Sequence, residues 1–204
     1  MIRVTATGPV TTLTLDRADK ANALTETMLR DLLAVVRGAR HAPAVILTGT
    51  GNVFSAGADL DAARAGLATS PLWEDLSGAI ADVNGLTVAA LNGTVAGGAN
   101  GMVLACDLRI AVPGARFFYP VMKRGYLPQP SDPARMAALI GPARTKWMLL
   151  AGQKIGAEQA LAFGLIDEIV TADALMERAS NLCADCCAAQ ADTAFAIKAM
   201  CPAT

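Results

Sequence analysis

Apolar and polar positions along this chain switch repeatedly between two periods. Residues 10–15, Val-Thr-Thr-Leu-Thr-Leu, are rich in β-branched side chains and alternate weakly, which predicts a strand. Residues 16–22 are polar and predict a loop. From Thr25 the spacing becomes helical, with Met28, Leu29, Leu32, Leu33 and Val36 on one face and a stop near Gly38. Thr25 has the chemistry of an N-cap, and Glu26 suits the positive end of the helix. Residues 44–48 form a short apolar run ending in Gly49-Thr50-Gly51, which predicts a buried strand and a turn. A helix over about 71–83 leads to a second such strand at 87–91. Gly97-Gly98 then opens an apolar helical stretch reaching Cys106. A third strand follows at 108–112, ended by Pro113-Gly114. Beyond a proline-rich loop at 128–133, helices are expected near 134–140, 143–150 and 157–163, then a late strand at 165–170 and a helical remainder. Strands alternating with helices predict an α/β fold.

The stretch 83–106 carries no charge and is long enough to span a bilayer. Asn84, Asn92 and Asn100 and five glycines interrupt it, so it reads as a buried strand, a glycine turn and a buried helix. The 204 residues suffice for one sizeable core, and no linker, repeat or low-complexity tract divides them. Seventeen basic and eighteen acidic residues leave a net charge of −1, which gives no global field for nucleic acid or an anionic membrane. Residues 1–6 show no signal-peptide pattern, so a cytoplasmic location with reduced thiols is expected. Cys183, Cys186 and Cys187 fall on one helical face and read as small packed side chains; with His41 the single histidine, no metal site is expected.

Candidate chemistry lies in two glycine-bearing turns, each soon after a buried strand: Phe54-Ser55-Ala56-Gly57-Ala58-Asp59-Leu60 and Ala96-Gly97-Gly98. A backbone N–H at a helix N-terminus lacks an intrahelical partner and sits at the positive end of the dipole. Glycine there lets another group approach the main chain. Two such turns meeting in space supply the convergent donors of an oxyanion hole. The chain carries no phosphate-loop, nucleophile-elbow or zincin motif.

These segments resemble landmarks of the crotonase superfamily, the enoyl-CoA hydratase/isomerase family. Val45-Ile46-Leu47-Thr48-Gly49 with Phe54 to Leu60 is similar to its "VLTG…F-x-AGADL" segment. Ala89-Ala90-Leu91-Asn92-Gly93, Ala96-Gly97-Gly98 and Leu104 to Ala111 are similar to "AAVNG…GGG…LACDLRIA". Asn22-Ala23-Leu24, Gly125-Tyr126-Leu127-Pro128, Leu139-Ile140-Gly141, Ala157-Glu158-Gln159-Ala160 and Gly164-Leu165-Ile166-Asp167 follow the family order over roughly 10–170. The resemblance implies a spiral of β-β-α turns over 1–170 and a short helical segment over 171–204. It implies a thioester carbonyl held by the N–H groups of Ala58 and Gly98, with coenzyme A entering as part of an acyl-CoA substrate and no tightly bound cofactor. Lys20, Ala56, Asp59 and Leu60 are then expected to flank the CoA moiety. Lys20 is equally well read as a solvated loop charge.

Departures from the family pattern bear on the chemistry. Its two hydratase glutamates fall on Gly101 and Val121, neither of which moves a proton. In the loop 129–133, Asp132 is a candidate single base for an isomerase; its plainer reading is an Asp before Pro133 that caps the next helix. Tyr119 and Tyr126 are possible hydrogen-bond donors. His41 is expected at the end of the strand away from the site. Family members commonly continue past the position of Lys198 with helices that pack in a trimer or hexamer, so this segment reads as abbreviated. The expectation is an acyl-CoA-handling protein that stabilises a thioester enolate. The alternatives are a decarboxylase of a malonyl-type thioester, an isomerase using Asp132, and a non-catalytic acyl-CoA carrier.

Overall fold

The structure is a computed structural model and describes residues 1–201. Two sheets organise it. The larger is built from β1 (Ile2–Thr7), β2 (Val10–Leu15), β3 (Ala44–Gly49), β5 (Leu86–Leu91), β7 (Leu108–Ala111) and β10 (Glu168–Ile169), in the order β1-β2-β3-β5-β7-β10. Only the β1–β2 pair is antiparallel; the remaining pairs are parallel. The smaller sheet runs β4 (Val53–Ser55), β6 (Thr94–Ala96), β8 (Arg116–Phe118) and β9 (Ile155–Gly156). The pairs β3–β4, β5–β6 and β7–β8 each give one strand to each sheet and are followed by helix. That is the β-β-α spiral the resemblance implies.

Helix α1 (Glu26–Gly38) buries Met28, Leu29, Leu32, Leu33 and Val36, the face its spacing predicts, and the Thr25 hydroxyl accepts from the Met28 N–H at 3.3 Å. Strand β3 is buried from Ala44 to Thr48, as a run covered on both faces must be. After β4 come α2 (Leu60–Arg64) and α3 (Leu72–Ala81); α4 (Ala99–Leu104) follows β6 and is buried along its whole length. The uncharged stretch 83–106 is thus core, and among the described residues no helix is long and apolar enough to cross a membrane. After β8 lie α5 (Val121–Arg124) and α6 (Asp132–Leu149). Gly141, at φ 80° ahead of Pro142, breaks α6 into the two helices the sequence predicts. Helix α7 (Ala157–Phe163), then α8 (Leu175–Leu182), α9 (Ala184–Ala188) and α10 (Ala191–Met200), complete the chain. Residues 202–204 of the expected helical tail lie outside the described residues.

Three expectations are corrected. Residues 2–7, given no element, form an edge strand. The late strand at 165–170 shrinks to Glu168–Ile169, because Leu165 and Ile166 are buried in the turn that leads into it. The helix at 134–140 begins two residues earlier, at Asp132. The cysteines are free thiols. Burial pushes Cys106 and Cys183 up to about 12, so both stay protonated and unreactive.

Candidate active site

The first bend is held almost entirely by its own main chain. Ala56 N–H donates to Ala21 O at 3.0 Å, and Asp59 N–H donates to Leu24 O at 2.9 Å. Gly57 N–H donates to Ser55 Oγ at 3.1 Å, and Gly57 O accepts from Leu24 N–H at 2.8 Å. Ser55 Oγ in turn donates to Asn22 O at 2.8 Å. Asn22 is fully buried and its amide donates to Thr50 O and Val53 O at 2.9 and 2.8 Å, so the loop 17–22 is stitched to the turn before β4. Every amide from Ala56 to Asp59 has an intramolecular acceptor except Ala58.

The second bend has the same character. Gly97 N–H donates to Phe118 O at 3.1 Å, and the Asn100 side-chain amide donates to Gly97 O at 2.8 Å and Phe118 O at 3.1 Å. Gly98 caps α4, and its N–H donates to nothing among the described residues. The two bends touch. Gly57 has φ 87°, and a Cβ there would lie 2.8 Å from Ala96 O and 3.4 Å from Gly97 Cα. Glycine is required at this crossing on both conformational and steric grounds. At Gly98 the packing is tight for another reason: a Cβ there would lie 3.0 Å from the ring of Trp73, whose indole N–H is anchored on Leu67 O at 2.8 Å.

Ala58 and Gly98 line one cavity of about 280 Å³, with Ala56, Leu60, Trp73 and Phe118 among its walls. Its polar lining comes from Arg64, Arg124, Tyr119, Tyr126 and Gln129; among the described residues no Asp or Glu lines it. Val121, the second of the two positions where the sequence resemblance implies a glutamate, is on the wall and presents only an isopropyl group. Gly101, the first, is buried within α4 and off the wall.

Asp132 sits against Gly101. A Cβ at Gly101 would lie 2.9 Å from Asp132 Oδ1 and 3.2 Å from Oδ2. The carboxyl is fully enclosed. Its Oδ2 accepts from the Tyr119 hydroxyl at 2.9 Å, and its Oδ1 has no partner. Burial, the largest effect, lifts its pKa from the ordinary 3.8 to about 7, against the lowering effect of the Tyr119 bond. The Tyr119 hydroxyl is also pushed up, by burial first and then by the Asp132 charge, so it stays protonated at neutral pH. It accepts weakly from Gln129 N–H at 3.4 Å. The capping expectation for Asp132 is corrected: Ser131 is the N-cap, and the Asp132 side chain points inward instead of back along the helix. Ser131 N–H donates to Glu74 at 3.2 Å and its hydroxyl also donates to Glu74, while Arg135 donates to Ser77 at 2.9 Å; together these tie the loop to α3.

The other expected site residues divide. Ala56 and Leu60 lie on the cavity wall. Asp59 does not; its Oδ1 caps α2 by accepting from Asp61 N–H and Ala62 N–H, and its Oδ2 pairs with Arg17 at 2.8 Å. That pairing holds its carboxyl below the usual range. Lys20 is exposed and off the wall. His41 bonds Asn84 at the far end of β3, away from the cavity as expected. Among the described residues no cluster of His, Cys, Asp or Glu is arranged to hold a metal ion. The residues not foreseen are Trp73, which covers the second bend, and the cations Arg64 and Arg124. No short sequence signal marks any of the three.

Comparison with known proteins shows the family and the fold. The enoyl-CoA hydratase/isomerase family model matches residues 5–204. A probable enoyl-CoA hydratase of Mycobacterium tuberculosis is 34% identical over 173 residues, covering 84% of this chain and 71% of the relative. The carnitinyl-CoA dehydratase of Salmonella arizonae is 34% identical over 191 residues, covering 89% and 72%. Among solved structures, the enoyl-CoA hydratase of Bacillus anthracis superposes with a TM-score of 0.88 at 28% identity, over 95% of this chain and 79% of that one.

Proposed function

The chain belongs to the enoyl-CoA hydratase/isomerase family, and from that premise we propose that it binds an acyl-CoA thioester and stabilises its enolate between the amides of Ala58 and Gly98. The observation that carries this reading is the pair of main-chain N–H groups, each the one left without an acceptor in its bend, on the wall of the same cavity. As a proton leaves the α-carbon, charge moves onto the thioester oxygen. Donors already in place then stabilise it without reorganising, and losing one of them costs about 3–4 kcal/mol.

A cavity free of carboxylates favours proton transfer at the α-carbon over hydration. Hydration needs a group that activates water and another that protonates carbon; Gly101 and Val121 provide neither. On this reading Arg64 and Arg124, which line the cavity, replace Lys20 as the cations facing the CoA phosphates. The test is spectroscopic and independent of turnover. Butyryl-CoA labelled with ¹³C at the carbonyl should show its C=O stretch moved to lower frequency on binding. Binding with no displacement of the stretch would remove the oxyanion hole.

A further inference from the structure

We infer that Tyr119 is a catalytic residue that exchanges protons with the substrate α-carbon and passes them to Asp132, the two forming a relay that stands where the family pattern has a glutamate on α4. The inference rests on the thioester reading above and adds to it the group that moves the proton.

The geometry excludes the simpler alternatives. Asp132 has no exposed surface, so it does not touch a molecule in the cavity. Tyr119 does line the cavity, and its hydroxyl bonds Asp132 Oδ2 at 2.9 Å. The absence of a side chain at Gly101 is what admits the carboxylate. Even a Cβ there would stand 2.9 Å from Oδ1, inside van der Waals contact, so a glutamate at 101 and Asp132 in this position exclude each other. The carboxylate thus reaches the same region from the first residue of α6 instead of from α4, with a phenol between it and the substrate.

The step balances. The α-proton moves to the Tyr119 oxygen as the phenolic proton moves to Asp132 Oδ2. The C–H electron pair becomes the enolate, whose oxygen lies at Ala58 and Gly98. Running the transfers backwards returns a proton to carbon, at the original or a conjugated position, which is isomerisation or exchange and needs no water. Tyrosinate never accumulates, consistent with the buried, carboxylate-bonded hydroxyl. The groups facing the carboxylate are Tyr119 after β8, Glu74 on α3 and Arg135 on α6.

The experiment follows deuterium uptake at the α-carbon of butyryl-CoA in D₂O, alongside the carbonyl stretch. Tyr119→Phe should keep the stretch displacement while exchange falls by about 10²–10⁴-fold, the contribution of a positioned acid or base. Asp132→Asn should likewise keep the displacement and lower exchange. It should also flatten the rise in exchange that the wild type shows as pH passes through about 7, a change that a purely structural role would not produce. Undiminished exchange in Tyr119→Phe, or no exchange in a wild type that displaces the stretch, overturns the relay alone. A wild type that binds without displacing the stretch overturns the thioester reading as well.

Discussion

The two ends of the cavity are built from different materials. At one end the groups proposed to act are the amides of Ala58 and Gly98, fixed by bends whose other hydrogen bonds are all intramolecular. At the other, the groups are the side chains of Tyr119 and Asp132, brought together by a loop and a helix separated in sequence. Main-chain donors depend on glycine and on close packing, and tolerate changes in neighbouring side chains. Side-chain acids and bases depend on one atom at one place. The first end therefore rests on backbone geometry and the second on particular side chains, which Gly101 and Val121 do not supply.

The largest effect expected from probing that contrast is at the side-chain end. Asp132 holds its proton more tightly folded, at about 7, than unfolded, near 3.8. Between these values the native state binds the extra proton, so stability falls as pH rises from about 4 to about 7 and is level above. The integrated loss is about 4 kcal/mol. Denaturant unfolding of wild type against Asp132→Asn across that range should show this difference growing with pH; parallel profiles would mean the carboxyl is not held in an apolar enclosure.

At the main-chain end, Gly57→Ala forces a Cβ onto Ala96 O and strains a positive φ. A stability loss of about 2–3 kcal/mol is expected, together with loss of the carbonyl displacement in the protein that remains folded. A variant as stable and as effective as wild type would show that the bends do not need to touch.

The smallest effect tests the steric exclusion. Gly101→Ala gains about 1 kcal/mol of helix propensity but meets the Asp132 carboxylate, an overpacking cost of about 1–3 kcal/mol. In an Asp132→Ala background the conflict vanishes and the alanine should stabilise. A double-mutant cycle should therefore give a coupling of about 2 kcal/mol, and additive effects would separate the two sites.

Much of this was legible beforehand because it is local. The α1 face, the buried strands and the break at Gly141 follow from periodicity, burial on both faces and one glycine before a proline. The four strands of the second sheet were not separately legible, since two or three residues leave no period to read. Asp59 looked like a ligand-facing residue and became a cap, because the chain direction at α2 puts its carboxylate over two amides.

By itself, then, the amino-acid order determined the α/β spiral, the positions of the two glycine bends and the lack of a side-chain acid at 101 and 121. These depend on residue type and on neighbours a few positions away. Only the tertiary structure decided that the bends abut, that Trp73 covers one of them, and that Asp132 fills the space beside Gly101 and bonds Tyr119. Those facts are distances between segments up to 40 residues apart, set by how the spiral closes, and no pattern along the chain encodes a distance across it.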